Sequence, residues 1–320
     1  ELLAIKKAYA DERRTRIIPY EGEIDIDDLI HEQEIAVTLT HFGYVKRTPA
    51  DTYKAQRRGG KGIMGLSTRE EDFVEHLLIT SSHNMLLFIT TFGRVYSLKG
   101  YEIPDAGRTA KGIAIVNLLQ LSAGEKIATM IPISGFEDGK YLLMATKEGI
   151  IKKTELKEYS NIRKGGLIAL ELREGDELIN ARLANENRDV MLVTRKGMSI
   201  RFSEADVRAT GRASIGVRGI TLRDDDYVIG MDICDPANSL LIITEKGFGK
   251  RTDIEEYRIQ SRGGKGLLTY KISEKTGELA GMMMVSDADD VMLITTEGVI
   301  IRIHAADISI IGRNTSGVRL

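Results

Sequence analysis

Tryptophan is absent from this 320-residue sequence, cysteine occurs once and proline only five times. A single thiol, Cys234, excludes an internal disulfide framework and any zinc site built from several cysteines. It fits a reducing compartment, with inert burial as its expected state. The histidines (His31, His41, His76, His83 and His304) are scattered without metal-site spacing. No apolar run is long enough to cross a bilayer and no apolar leader opens the chain, so a cytoplasmic setting without a membrane partner is expected. An excess of either charge is also lacking: 45 Lys and Arg against 47 Asp and Glu leave a net −2. That balance argues mildly against nucleic acid, unless the two signs are sorted onto different surfaces.

Glycine is plentiful, with 32 residues, and its placement is periodic. The pattern Thr-x-x-Gly after an apolar run occurs six times, ending at Gly43, Gly93, Gly149, Gly197, Gly247 and Gly298, about 50 residues apart. Runs such as Met85 to Ile89 and Leu240 to Ile243 precede it, and β-type runs such as Val299 to Arg302 follow. Strand, glycine turn and strand make a hairpin, the glycine supplying a positive φ. A second glycine (Gly62, Gly112, Gly216, Gly266, Gly317) falls at a fixed distance behind the first, except in the shortened third copy, which has Gly165-Gly166. Further apolar stretches led by an acidic residue, as at Glu125 and Glu177, bring each unit to four strands.

Units of this size are propeller blades, so the expectation is an all-β, six-bladed, propeller-like disc of four-stranded blades with a short N-terminal helix. Glu1 to Arg16 is the expected helix, residues 1–32 a tail plus a ring-closing segment, and 33–320 the disc. The sixth copy ends at Leu320 before a whole blade is complete, so part of Ile17 to Ile30 is expected to pair with the blade containing Val291 to Ile303.

In the repeat register, the fifteenth residue after each hairpin glycine is Arg58, Arg108, Lys164, Arg212, Arg262 and Arg313, basic in every copy. The fourth is Arg47, Ser97, Lys153, Arg201, Arg251 and Arg302. Repetition fits either an arginine tying a loop to carbonyls or a cation offered outward by every blade. Outward, these side chains with Lys111 and Lys265 form a basic track matching a continuous polyanion, above all double-stranded DNA. Acidic clusters such as Glu70 to Asp72, Asp224 to Asp226 and Asp287 to Asp290 occupy other parts of the unit.

The densest cationic motif is Gln56-Arg57-Arg58-Gly59-Gly60-Lys61-Gly62, nearly repeated as Gln260 to Gly266. Its glycines let backbone approach a phosphate, and no Ser or Thr follows Lys61 as a Walker A motif requires. The motif resembles the gyrase A box, and about 290 residues resemble the C-terminal DNA-wrapping domain of bacterial DNA gyrase A subunits. That resemblance implies a β-pinwheel whose rim wraps DNA with positive handedness, so that an ATP-dependent type II topoisomerase introduces negative supercoils. It implies a DNA-binding role for Gln56, Arg57, Arg58, Gly59, Gly60, Lys61 and Gly62. It implies as partners the cleavage core and the B subunit, in a heterotetramer of two A and two B subunits near the nucleoid. No catalytic residue, cofactor or metal is implied for this domain, since ATP and magnesium serve other parts of that assembly. A protein-interaction propeller and the C-terminal domain of the topoisomerase IV A subunit remain the alternatives.

Overall fold

The computed structural model describes all residues except 12–14, 16–25, 51–62, 65–71, 108, 186–187 and 296–298. The chain divides into a small unit, Glu1–His31, and a large one, Glu32–Leu320. The small unit contains the helix Leu2–Tyr9 and one helical turn, Ile26–Leu29.

The large unit is a propeller-like ring built on the six hairpins. In the first five hairpins the central strand, such as Met85–Thr90 or Ser239–Thr244, is buried on both faces, which is why it reads as an unbroken apolar run rather than an alternating one. The Thr-x-x-Gly motif closes the turn twice. In five copies the threonine carbonyl accepts from the glycine N–H, as between Gly43 and Thr40 at 2.8 Å. The threonine Oγ1 accepts from the N–H one residue past the glycine, at 3.0 Å from Tyr44 to Thr40 and 3.2 Å from Met198 to Thr194. The turn glycines have the positive φ expected of them, 80° at Gly43 and 85° at Gly197.

Every four-stranded sheet draws on two copies. The first is ordered Val74–Ser81, Glu34–Thr40, Tyr44–Pro49 and Ile113–Ala114, the last strand donated by the second copy. The same exchange brings Leu167–Ile168, Val217–Arg218, Leu267–Leu268 and Val318–Arg319 onto the second to fifth hairpins. The second glycine makes this possible. Gly112 and Gly266 have φ of 84° and 74°, and a Cβ on either would stand 2.4 Å from a carbonyl oxygen of the blade that receives the loop.

Ring closure differs from the sequence expectation. The first copy donates Ile63–Met64 to the last hairpin, pairing Ile63 with Ile300 and Met64 with Val299. The ring therefore closes by the exchange that joins every other pair of blades. Ile26–Leu29, within the segment expected to close it, is helical, and residues 17–25 lie outside the described residues. Six four-stranded blades were expected; among the described residues five sheets are four-stranded, and the sixth, Asp290–Ile294, Val299–His304 and Ile63–Met64, has three.

Apolar layers fill the gaps between neighbouring blades. Leu87 and Ile131 of the second blade meet Leu142, Met144 and Ala181 of the third, all buried. At the seam, Val74 and Leu77 of the first blade pack on Met292 and Ile294 of the last. Burying each large aliphatic contributes about 1.5–3 kcal/mol, so these layers are the main cohesion of the ring. Cys234 belongs to one of them, and burial pushes its thiol up to about 12, as an inert core cysteine requires.

Candidate nucleic-acid interface

The inner and outer edges of the ring follow from strand order. Val74–Ser81, Ile127–Ile133, Leu178–Asn185, Val228–Cys234 and Leu279–Val285 each pack against the next, which marks the inner side. The short donated strands lie at the opposite edge of each sheet, and the loop before each carries the registered cation.

At this outer position Arg212 is partly exposed, its Nε 3.8 Å from the Glu158 carboxylate. Arg262 donates from Nη1 to the Arg218 carbonyl at 2.6 Å and from Nε to the Asp206 carbonyl at 3.2 Å. Arg313 makes the equivalent bond to the carbonyl of Leu268. A guanidinium has five N–H donors, so these bonds orient the fork without exhausting it. Lys265 and Lys164 are exposed. Lys111 is half-buried, with Nζ 3.5 Å from the centre of the Tyr44 ring. Gln56, Arg57, Arg58, Gly59, Gly60, Lys61, Gly62 and Arg108 lie outside the described residues. The strand immediately after the glycine-rich motif is nonetheless placed, on the sixth hairpin and not the first.

The fourth position after the hairpin glycine is different. Arg201 donates to Asp189 at 2.8 Å and to the carbonyls of Ile254 and Tyr257 at 2.8 and 3.1 Å. Arg251, 3% exposed, donates to the carbonyl of Ile308 and to Asp287. Lys153 pairs with the fully buried Glu204 at 3.0 Å, and Arg302 pairs with Asp290. Arg47 is half-buried, and its backbone bridges to Asp105 in the next copy as Arg201 bridges to Ile259. The sequence reading made Arg201 and Arg251 surface cations. In the structure both side chains are bonded to carboxylates and to carbonyls of the next copy.

One carboxylate of each of two acidic clusters is committed to a hairpin turn. Asp72 accepts from the Phe42 N–H at 3.0 Å, and Asp226 accepts from the Thr194 hydroxyl and the Lys196 N–H. Asp72 and Asp226 thus cap hairpin turns and Asp287 and Asp290 pair with arginines of the fourth position, whereas Glu158 and Glu256 stand beside the outer loops at Arg212 and Arg313. Arg208 and Arg258, at one register position in the fourth and fifth copies, and Arg218 and Arg319 on donated strands add exposed cations that the repeat alignment did not single out. Their signal is weak because neither position is basic in more than half of the copies. Among the described residues no group of three His, Cys, Asp or Glu could hold a metal, and no helix is long and apolar enough to cross a membrane.

The family described as "DNA gyrase C-terminal domain, beta-propeller" matches residues 34–81, 84–134, 140–185, 188–235, 238–286 and 289–320, one segment per repeat. The whole chain is 57% identical to part of the DNA gyrase A subunit of Clostridium acetobutylicum and 54% identical to part of that of Halalkalibacterium halodurans. It spans 39% and 38% of the lengths of those relatives. Among solved structures, a DNA gyrase A C-terminal domain superposes with a TM-score of 0.80 at 28% identity, over 90% of this chain and 95% of that one. A topoisomerase IV C-terminal domain gives 0.72 at 26% identity, over 91% and 90%.

Proposed function

Because this chain belongs to the DNA gyrase C-terminal β-propeller family, we propose that it binds duplex DNA along the outer edge of its ring and wraps it with positive handedness. The observation that carries this reading is the recurrence of Arg212, Arg262 and Arg313 at one register position, each on a loop beside a donated outer strand. Bending 20–30 base pairs through 40–90° costs about 1–6 kcal/mol, so a long wrap needs many contacts rather than one strong site. Repetition of a cation in every blade supplies them, and phosphate contacts carry no base sequence, so binding is sequence-tolerant.

In this reading Gln56 to Gly62 is the densest contact, and the strand that follows it in sequence, Ile63–Met64, pairs with the last hairpin. The six-bladed pinwheel is completed by a further strand on the sixth hairpin. The wrapped DNA is delivered to the cleavage core of a heterotetramer of two A and two B subunits, whose ATP-driven strand passage then introduces negative supercoils beside the nucleoid. The test is to ligate nicked circular DNA in the presence of the chain and resolve the topoisomers on gels. The expected outcome is a shift to positive linking difference that grows with protein concentration. Binding without a topological shift overturns wrapping.

A further inference from the structure

Beneath the outer loops lie three lysines that the DNA reading does not use. Lys46, Lys152 and Lys250 are each the third residue after a hairpin glycine, in the first, third and fifth copies, and all three are buried. The second, fourth and sixth copies carry Tyr96, Ile200 and Ile301 at that position. The loops that cover the two kinds of seat differ in the same alternation. Over the lysines pass loops containing Gly-Arg (Gly107-Arg108, Gly211-Arg212, Gly312-Arg313), whereas the other copies have glycine pairs (Gly59-Gly60, Gly165-Gly166, Gly263-Gly264).

The contacts explain the pairing. Lys250 Nζ donates to the carbonyls of Gly312 at 2.9 Å, Arg313 at 2.6 Å and Thr315 at 3.2 Å, and to the Thr315 hydroxyl at 3.1 Å. Lys152 donates to the carbonyls of Arg212 and Ala169, and Lys46 to those of Gly107 and Ala110. On the seats of the second and fourth copies the loop lies against apolar atoms. A Cβ on Gly166 would stand 2.7 Å from the Tyr96 ring, and one on Gly264 3.5 Å from Ile200 Cδ1. An ammonium buried in place of an aliphatic group is costly unless its donors are met. Here loop carbonyls meet them, two of them the carbonyls of the registered arginines themselves. Burial lowers all three lysines to about 8, which leaves them mostly charged at neutral pH.

We propose that Lys46, Lys152 and Lys250 are positioning residues for DNA contact, each holding from below the next copy's Gly-Arg loop, so that Arg212 and Arg313 meet phosphate from a fixed backbone. This rests on the DNA reading above. Order imposed before DNA arrives lowers the entropy lost on binding, as preorganised sites do. Among the described residues the outer edge consequently carries two kinds of contact loop, one clamped by an ammonium and one seated on apolar side chains.

The test is a double-mutant cycle on the full 320-residue chain with Lys250→Met, Arg313→Ala and the pair, titrated with plain linear duplex over a range of salt. Thermal melts confirm that each variant is folded at the titration temperature. Arg313→Ala is expected to flatten the slope of log K against log salt by about 0.9, one phosphate contact. Lys250→Met is expected to flatten it equally, and the pair no further than either single change. A core residue that merely stabilises the ring would leave the slope unchanged and would not be epistatic to Arg313. If Arg313→Ala flattens the slope and Lys250→Met does not, or if their effects add, the positioning role is overturned while the DNA reading stands. If neither changes the slope, the DNA reading fails at this loop and the positioning role with it. Should Lys250→Met not fold, Thr315→Val in the same cycle removes one acceptor with the ammonium in place. Partial flattening supports the proposal, and a parental slope overturns it.

Discussion

Arg251 donates from Nε to the carbonyl oxygen of Ile308 at 3.0 Å while its Nη1 reaches Asp287 at 2.6 Å, so one side chain ties the fifth blade to the sixth copy. Truncation leaves a buried carbonyl without its donor. Arg251→Ala is therefore expected to cost about 2–4 kcal/mol in urea unfolding, the range for losing charged hydrogen bonds at a buried site. Its salt slope for DNA should stay that of the parent. A flattened slope with an unchanged unfolding midpoint would return Arg251 to the surface role the sequence suggested.

The outer position behaves oppositely. Arg212→Ala and Arg262→Ala should each flatten the salt slope by about 0.9 and weaken all duplex sequences alike. Arg262 also bonds to the carbonyls of Arg218 and Asp206, so its replacement should cost about 1 kcal/mol of stability besides. Parental slopes for both variants would make them loop-tying arginines only.

The glycine-rich motif concentrates three cations in seven residues. Replacing Arg57, Arg58 and Lys61 together by Ala is expected to abolish the topoisomer shift while circular dichroism stays native. An unchanged shift would remove the motif from the wrapping machinery.

The repeat, the hairpins and the turn glycines were legible because period and positive φ leave direct marks on sequence. Thr-x-x-Gly was readable as a turn before Thr194 was seen to accept from Met198 and donate to Asp226. Exchange of strands between neighbouring blades follows from the β-pinwheel resemblance, but the strand that closes the ring was not legible: Ile63–Met64 is two residues long, and no local pattern says which hairpin it joins. Register likewise revealed that Arg201 and Arg262 recur, but a repeated cation looks the same whether it faces a carbonyl or a phosphate. Only the partner distinguishes them, and Ile254 lies 53 residues from Arg201. The buried lysines were passed over because Lys is rarely a core residue, and their acceptors are backbone atoms without a sequence signature.

Closure by Ile63–Met64 has its own consequence. Ile63→Pro with Met64→Pro removes the backbone donors of that strand, and proline in a sheet ladder costs a hydrogen bond at each site. The double variant should lower the melting temperature by several degrees and diminish the topoisomer shift, because a ring opened at this strand no longer presents a continuous outer edge. Removal of residues 1–31, which form a separate compact unit, should leave the melt of the remainder unchanged. The reverse pattern would restore the N-terminal segment as the closing element.

Buried lysines also set a pH dependence whose sign can be worked out for Lys250. Its ordinary value of 10.5 is lowered to about 8, first by burial and then by the Arg313 charge, against the opposing pull of Glu256. Between pH 8 and 10.5 the unfolded chain therefore holds a proton that the folded chain has released. Stability rises with pH wherever the unfolded state binds more protons, so this group adds a positive slope in that window and almost none below about pH 7. Tyr257 and Tyr270 nearby are pushed up to about 12 by burial and stay neutral throughout it. Lys250→Met deletes the slope along with the carbonyl bonds. The substitution should thus become more destabilising as pH rises from about 8 to about 10, and its cost should be constant from about 6 to about 7. Urea midpoints of parent and variant, taken at unit steps across that range, measure the difference directly. A cost that shrinks as pH rises would mean that its partners raise Lys250 above its ordinary value, and that the ammonium is held by attraction stronger than the burial it suffers.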